Sequence, residues 1–256
     1  MKEIEKGKLS IIGTGFYISR YGLFLTAKHV LEELVDYQRR TILRSFICHL
    51  EDDDEDVGKV YLRTIRYISL MNEVDLAVAQ ANNYNEEFPQ SPLANLRATL
   101  TTEVPQIGSS LVTFAYPENK ILDFTQSETT PEIKADFYEG LFLKHVTNSE
   151  HPFIPYPHYE TSIQIKHGAS GGPVFANGRV IGVNCRGWDF GEAEDDKNSL
   201  SYIIPVRELL SAQIDLVQLP EISWEYNQIP DSQRNKALTV AELVRFGHIE
   251  FEPPIM

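Results

Sequence analysis

Apolar residues fall along this chain in short runs closed by glycine, proline or charged positions. Residues 10–19, 23–27, 111–115, 174–176 and 180–184 read as strands, and many short strands at close spacing predict barrels or sandwiches. The period changes twice. Leu31, Leu34 and Val35 recur at helical spacing directly after His29, so residues 31–37 are expected to form a short helix packed on the first barrel. Near the end, Thr239 and Glu242 make a capping-box signature ahead of Leu243, Val244, Phe246 and a Gly247 stop, which predicts a second helix. Residues 82–102 are polar and contain Pro89 and Pro92, as an inter-barrel linker would.

Composition narrows the class. The 256 residues are 42% hydrophobic and 23% charged, ordinary globular usage and long enough for two barrels with a real core. A formal net charge of -14 argues against nucleic acid as a partner, because phosphate binding is dominated by Lys and Arg. No apolar run approaches the roughly 20 residues of a membrane span, and the charged start Met1-Lys2-Glu3-Ile4-Glu5-Lys6 lacks a signal peptide's apolar core. A cytoplasmic location without a membrane partner is expected. Cys48 and Cys185 are far apart in sequence and give no disulfide framework of the secreted type. His49 beside Cys48 lacks zinc-site spacing, and no metal or cofactor is expected.

Three segments carry candidate chemistry: Thr26-Ala27-Lys28-His29-Val30, Glu73-Val74-Asp75-Leu76-Ala77-Val78, and Gly168-Ala169-Ser170-Gly171-Gly172-Pro173. Serine is a poor nucleophile at neutral pH and needs an adjacent base, and the base needs a carboxylate to fix its tautomer. His29, Asp75 and Ser170 supply those three types. Glycines around Ser170 let the backbone turn tightly and aim N–H groups at one point, which makes the amides of Gly168 and Ser170 the candidate oxyanion-hole donors. A side chain at Gly168 is expected to hinder that turn, and one at Gly171 to crowd an approaching carbonyl.

On these residues the chain resembles the trypsin-like, chymotrypsin-fold serine proteases, with the same His, Asp, Ser order, over roughly residues 7–210. Within that family it is more similar to the bacterial branch, the high-temperature-requirement proteases and the glutamyl endopeptidases. Gly13-Thr14-Gly15-Phe16-Tyr17-Ile18 looks like their Gly-x-Gly-Phe strand, Val180-Ile181-Gly182-Val183-Asn184 like the strand lining the cleft, and Ser201-Tyr202-Ile203-Ile204-Pro205 like the last barrel strand. The resemblance implies an all-β fold of two six-stranded antiparallel β-barrels with the active site in the cleft between them, plus a C-terminal helical extension. It divides the chain into 1–100 with His29 and Asp75, 101–210 with Ser170, and an extension 211–256. It implies a serine endopeptidase acting on protein or peptide substrates through an acyl-enzyme.

Departures from the family pattern bear on activation and specificity. Ala169 stands where digestive proteases carry an aspartate that pairs with a freed N-terminus, so zymogen cleavage of that kind is not expected. Asn184 stands where the glutamyl endopeptidases carry a pocket histidine, which removes the basis for glutamate specificity. Counting from the family pattern, Gln164, Cys185, Arg186, Gly187 and Ser201 line the primary pocket. Gln164 occupies the position where specificity for Lys or Arg requires an acid, so no basic preference is expected. Arg186 is expected to favour an acidic or polar side chain.

Other features carry two readings. The acidic run 51–56 reads as a solvated hairpin loop, because calcium loops interleave their ligands with glycine. Residues 124–158 read either as a lid over the cleft or as an ordered surface loop. His167, beside Gly168, is expected to border the pocket, and His145, His151, His158 and His248 have no supporting motif. The extension reads either as a packed tail or as a docking element for a regulatory protein, which would suit a cytoplasmic effector in bacterial stress or phage defence. The competing function is a non-catalytic or latent protease-fold module that binds a protein partner.

Overall fold

Two adjacent strands, Leu23–Ala27 and Leu76–Ala81, are buried along their whole length and pair antiparallel, Leu23 opposite Gln80 and Ala27 opposite Leu76. Both faces are covered, so the sequence there is apolar at all positions but Thr26 and Gln80 instead of alternating. Side chains alternate across the pleat: Phe24, Ala77, Ala79 and Ala81 join Leu31, Leu34 and Ile65 on one side, while Leu23, Leu25, Leu76 and Val78 join a larger cluster on the other. The computed structural model describes residues 1–38, 41–53, 56–82, 95–116, 121–123, 135–149, 154–165, 168–188, 200–214, 229–230, 232 and 237–253.

These two strands are the centre of a five-stranded sheet with Phe16–Tyr17, Asp56–Leu70 and Phe46–Asp53. A second sheet closes on itself as a six-stranded barrel of Ser110–Ala115, Asp136–Val146, His158–Thr161, Leu200–Pro205, Arg179–Trp188 and Pro173–Ala176. Closure abolishes free edges. Register shifts at Phe142/Lys144, Val174/Phe175 and Asn184/Arg186 accompany it, since bulges bend strands and increase their twist. The expectation of two six-stranded barrels is thus met by one closed barrel and one open five-stranded half-barrel among the described residues.

Several elements differ from the sequence expectations. The helix begins earlier, at Lys28–Glu32. It ends where Val35–Asp36 leaves to pair with Thr41–Ile42, so Leu34 is buried by a turn after the helix, the Leu34 N–H donating to the Leu31 carbonyl. Residues 10–19 do not form one strand. Lys8–Ser10 and Phe16–Tyr17 are separate because Thr14 bonds instead to the Ser170 segment. Residues 124–158 are not simply a surface insertion: Asp136–Val146 is a barrel wall, with Phe142 its buried side chain. The rest of that insertion through residue 134, and 150–153 including His151, lie outside the described residues. Of the acidic run, residues 51–53 and 56 belong to a long hairpin in which Asp53 pairs with Asp56, and residues 54 and 55 lie outside the described residues.

The extension forms a helix, Val240–Arg245, with a full capping box between Thr239 and Glu242. Val240 and Leu243 are fully buried, in the same cluster as Leu25 and Leu76 of the first sheet and Val183 and Ile204 of the barrel. Its apolar face is therefore core. Linker residue Leu100 is buried there too, bridging Val180 and Phe251; residues 83–94 of the linker lie outside the described residues. No helix among the described residues is long and apolar enough to cross a membrane.

Candidate active site

Strand register brings the first two candidates together. Ala27 faces Leu76 across the ladder, so His29, just past one strand, meets Asp75, just before the other. The Lys28 N–H donates to the Asp75 carbonyl at 3.2 Å. Asp75 Oδ1 accepts the His29 backbone N–H at 2.9 Å, and Oδ2 lies 2.7 Å from His29 Nδ1. Two bonds from one carboxylate fix both the position of the residue and the plane of its ring. His29 keeps an exposed side chain, 45% accessible, while Asp75 is nearly buried. Burial pushes the Asp75 carboxyl up, but the His29 ring, the Cys185 thiol and the His29 backbone N–H together outweigh it and hold the acid below its usual range.

The barrel supplies the rest. In the ladder between Arg179–Trp188 and Leu200–Pro205, Asn184 pairs with Ile203 and Arg186 with Tyr202, which leaves Cys185 as the extra residue of a bulge. A bulge re-aims its side chain and frees its backbone groups. Both consequences are used: Cys185 Sγ donates to Asp75 Oδ2 at 2.7 Å, and the Cys185 carbonyl accepts the Ser170 hydroxyl at 3.1 Å. Among the described residues no hydrogen bond joins Ser170 to His29. Burial first, and the Asp75 charge second, push the Cys185 thiol far up, so it remains a protonated donor at neutral pH. Cys185 was expected to line the substrate pocket. Its side chain is 4% exposed and faces the carboxylate.

Ser170 rides on a turn clamped from both sheets. Thr14 N–H donates to the Ser170 carbonyl at 2.9 Å, Thr14 Oγ1 donates to the Gly168 carbonyl at 3.2 Å, and the N–H of Gly171 donates to Asn184 O at 2.8 Å. Asn184 is fully buried and donates from Nδ2 to Thr113 Oγ1 at 2.8 Å, so it braces this turn. Gly171 has φ +88°, and a Cβ there would fall 2.0 Å from Thr26 Oγ1 and 2.1 Å from the Thr14 carbonyl. Packing against the first sheet by itself requires glycine here, beside the crowding of a substrate carbonyl expected from the sequence. Gly168 also has positive φ, and among the described residues neither its N–H nor that of Ser170 is engaged by a protein acceptor.

The remaining pocket candidates are divided. Gln164, Arg186 and Gly187 are exposed. Ser201 is buried, its hydroxyl donating to the Ile163 carbonyl. The segments 163–165 and 185–187 abut: a methyl on Gly187 would lie 3.0 Å from the Ile165 carbonyl oxygen. His167 lies outside the described residues. Sequence reasoning passed over Thr14 and the donor role of Cys185, because both act through contacts distant in the chain.

Trypsin-like peptidase domains match this chain over residues 13–183. The chain belongs to the trypsin-like peptidases. The peptidase is also similar to solved structures. Deg5 superposes with a TM-score of 0.53 at 19% identity, covering 78% of this chain and 82% of Deg5. An inactive form of Rv3671c from M. tuberculosis H37Rv gives a TM-score of 0.45 at 18% identity, covering 78% of this chain and 80% of that one. No curated protein sequence matches the peptidase. Its closed barrel and half-barrel are the two parts of a chymotrypsin-type fold, and its class is that of a serine protease.

Proposed function

We propose that this peptidase hydrolyses protein or peptide substrates through Ser170, His29 and Asp75. The observation that carries the reading is the doubly bonded His29–Asp75 pair, with Ser170 tied to the same carboxylate through Cys185. Ser170 Oγ attacks the scissile carbonyl while His29 Nε2 takes its proton. The imidazolium that forms is stabilised by Asp75, and the proton passes to the leaving amine. The amides of Gly168 and Ser170, unengaged among the described residues, receive the oxyanion. Water then attacks the acyl-enzyme with His29 again as base, releasing the acid and regenerating Ser170.

A second reading is favoured by two features: the Ser170 hydroxyl is given to the Cys185 carbonyl, and the pocket segments abut at Gly187 and Ile165. The first describes a resting state that a substrate or partner must open by turning the serine hydroxyl toward His29, and the second leaves little room for bulk beside Gly187. This suits a latent enzyme, and a triggered cytoplasmic effector is the setting we assign to it. Hydrolysis of an unfolded protein substrate by the purified chain tests both readings. Turnover abolished by Ser170→Ala is the expected result. A folded chain with no turnover, and none on addition of candidate triggers, would overturn the catalytic reading and leave the binding module.

A further inference from the structure

The bulge at Cys185 does more than complete the carboxylate's hydrogen bonds. It places a nitrogen of His29, an oxygen of Asp75 and the sulfur of Cys185 all within 4.8 Å of one another, with His29 Nδ1 and Cys185 Sγ each 2.7 Å from Asp75 Oδ2. Among the described residues no other three His, Cys, Asp or Glu side chains converge in this way. We propose that this triangle is an inhibitory binding site for a thiophilic divalent cation of the zinc class.

The ligand types are those zinc takes, and three protein ligands leave one tetrahedral position for water. Zinc bonds of about 2.0–2.3 Å set ligand atoms roughly 3.5 Å apart. The two edges that now close at 2.7 Å must therefore open by less than about 1 Å. One edge opens by movement of His29, whose side chain is the exposed member; the other opens by side-chain torsion of Cys185 and Asp75, whose backbones are held within and just before buried strands. Charge favours the exchange as well. Without a cation the triangle holds one buried carboxylate with a neutral thiol. With a divalent cation, carboxylate and thiolate together balance the charge.

Binding runs as a balanced exchange without oxidant or reductant. The cation takes the place of the two hydrogens that now hold the triangle. The thiol proton leaves to solvent, because a coordinating thiol is deprotonated outright. The imidazole shifts its proton from Nδ1 to Nε2, the tautomer set by what the other nitrogen binds. One proton is released per ion. His29 Nε2, now carrying hydrogen, no longer accepts the Ser170 proton. The inhibition rests on the proposed catalytic reading; binding of the cation does not. No local spacing reveals this site, because its ligands come from three separate segments.

The test uses the full metal-free chain and Co2+ as a spectroscopic probe, with Zn2+ as competitor. The expected result is one equivalent of Co2+ bound with a thiolate-to-cobalt charge-transfer band, displaced by Zn2+, kept in Cys48→Ser and lost in Cys185→Ser. His29→Ala removes a ligand from an exposed side chain and spares the buried strands, so it serves as the second variant. Its Co2+ affinity is expected to fall at least about tenfold. In the peptidase assay Zn2+ inhibits, a chelator restores activity, and Cys185→Ser needs at least about tenfold more Zn2+ for half inhibition relative to its own metal-free rate. Absence of the thiolate band at millimolar Co2+, or a band that follows Cys48, overturns the proposal. Zn2+ binding with an unaffected turnover overturns its inhibitory part. A chain with no peptidase activity that still gives the Cys185 band leaves the cation site standing and removes the catalytic reading alone.

Discussion

Asp75 Oδ2 is shared by two donors, His29 Nδ1 from the helix that follows the first sheet and Cys185 Sγ from a barrel strand, each at 2.7 Å. The carboxylate is therefore the point where the half-barrel and the closed barrel are coupled at the site. Removing the thiol leaves one lone pair of a nearly buried carboxylate without its donor. Hydrogen bonds to charged groups contribute about 1.5–3 kcal/mol, so Cys185→Ala is expected to lower kcat/KM by roughly 10- to 100-fold. Cys185→Ser, which restores a donor, is expected to recover most of that loss. Steady-state kinetics of the two variants decide it, and equal rates for Ala and wild type would remove Cys185 from the account.

Acid sensitivity follows from the same carboxylate. Its donors hold its folded-state pKa below the ordinary carboxyl value. A depressed carboxyl stabilises the fold above its unfolded value of about 4, and that contribution is lost as pH falls through the folded value. His29→Ala removes the ring and its bond, so acid unfolding followed by circular dichroism is expected to begin at higher pH than in wild type. An unchanged acid midpoint would mean that the pair adds nothing to stability.

Gly171→Ala is expected to be severe. The positive φ and the 2.0 and 2.1 Å approaches to Thr26 and Thr14 leave no space for a Cβ, a mechanism that belongs with the largest single-substitution effects, about 3 kcal/mol or more. Thermal melting and activity should fall together. A stable but inactive variant would instead point to substrate crowding alone.

The tail is also open to measurement. Leu243 is fully buried among residues of both sheets, so Leu243→Ala is expected to cost about 2–5 kcal/mol by denaturant midpoint. A change under about 1 kcal/mol, within the usual range for surface sites, would favour a detachable docking element.

Much of the fold was legible because it rests on local signals. The capping box of Thr239 and Glu242 and the apolar runs 111–115 and 180–184 all became the expected elements. Asp136–Val146 was not legible: nearly all its side chains face outward or stay half-exposed, so it shows no alternation, and only its ladder partners make it a strand. The start of the helix at Lys28 was missed because propensity favours the leucines beyond it, whereas the pairing of Ala27 with Leu76 ends the strand there. At the site, residue type and local context pointed to His29, Asp75 and Ser170, and the fold brings His29 against Asp75 and Ser170 against Cys185. The work of Cys185 and Thr14 was hidden, because a bulge in the barrel and the bonding of Thr14 to the Ser170 segment are tertiary events with no local signature.

The most direct test of the central claim is covalent labelling of the purified chain with a fluorophosphonate, locating the adduct by mass spectrometry against a Ser170→Ala control. The account predicts a single adduct on Ser170, weakened about 10⁴-fold or more in rate by loss of His29, as in other triads. A folded chain that labels elsewhere, or whose Ser170 reacts equally well without His29, would contradict it.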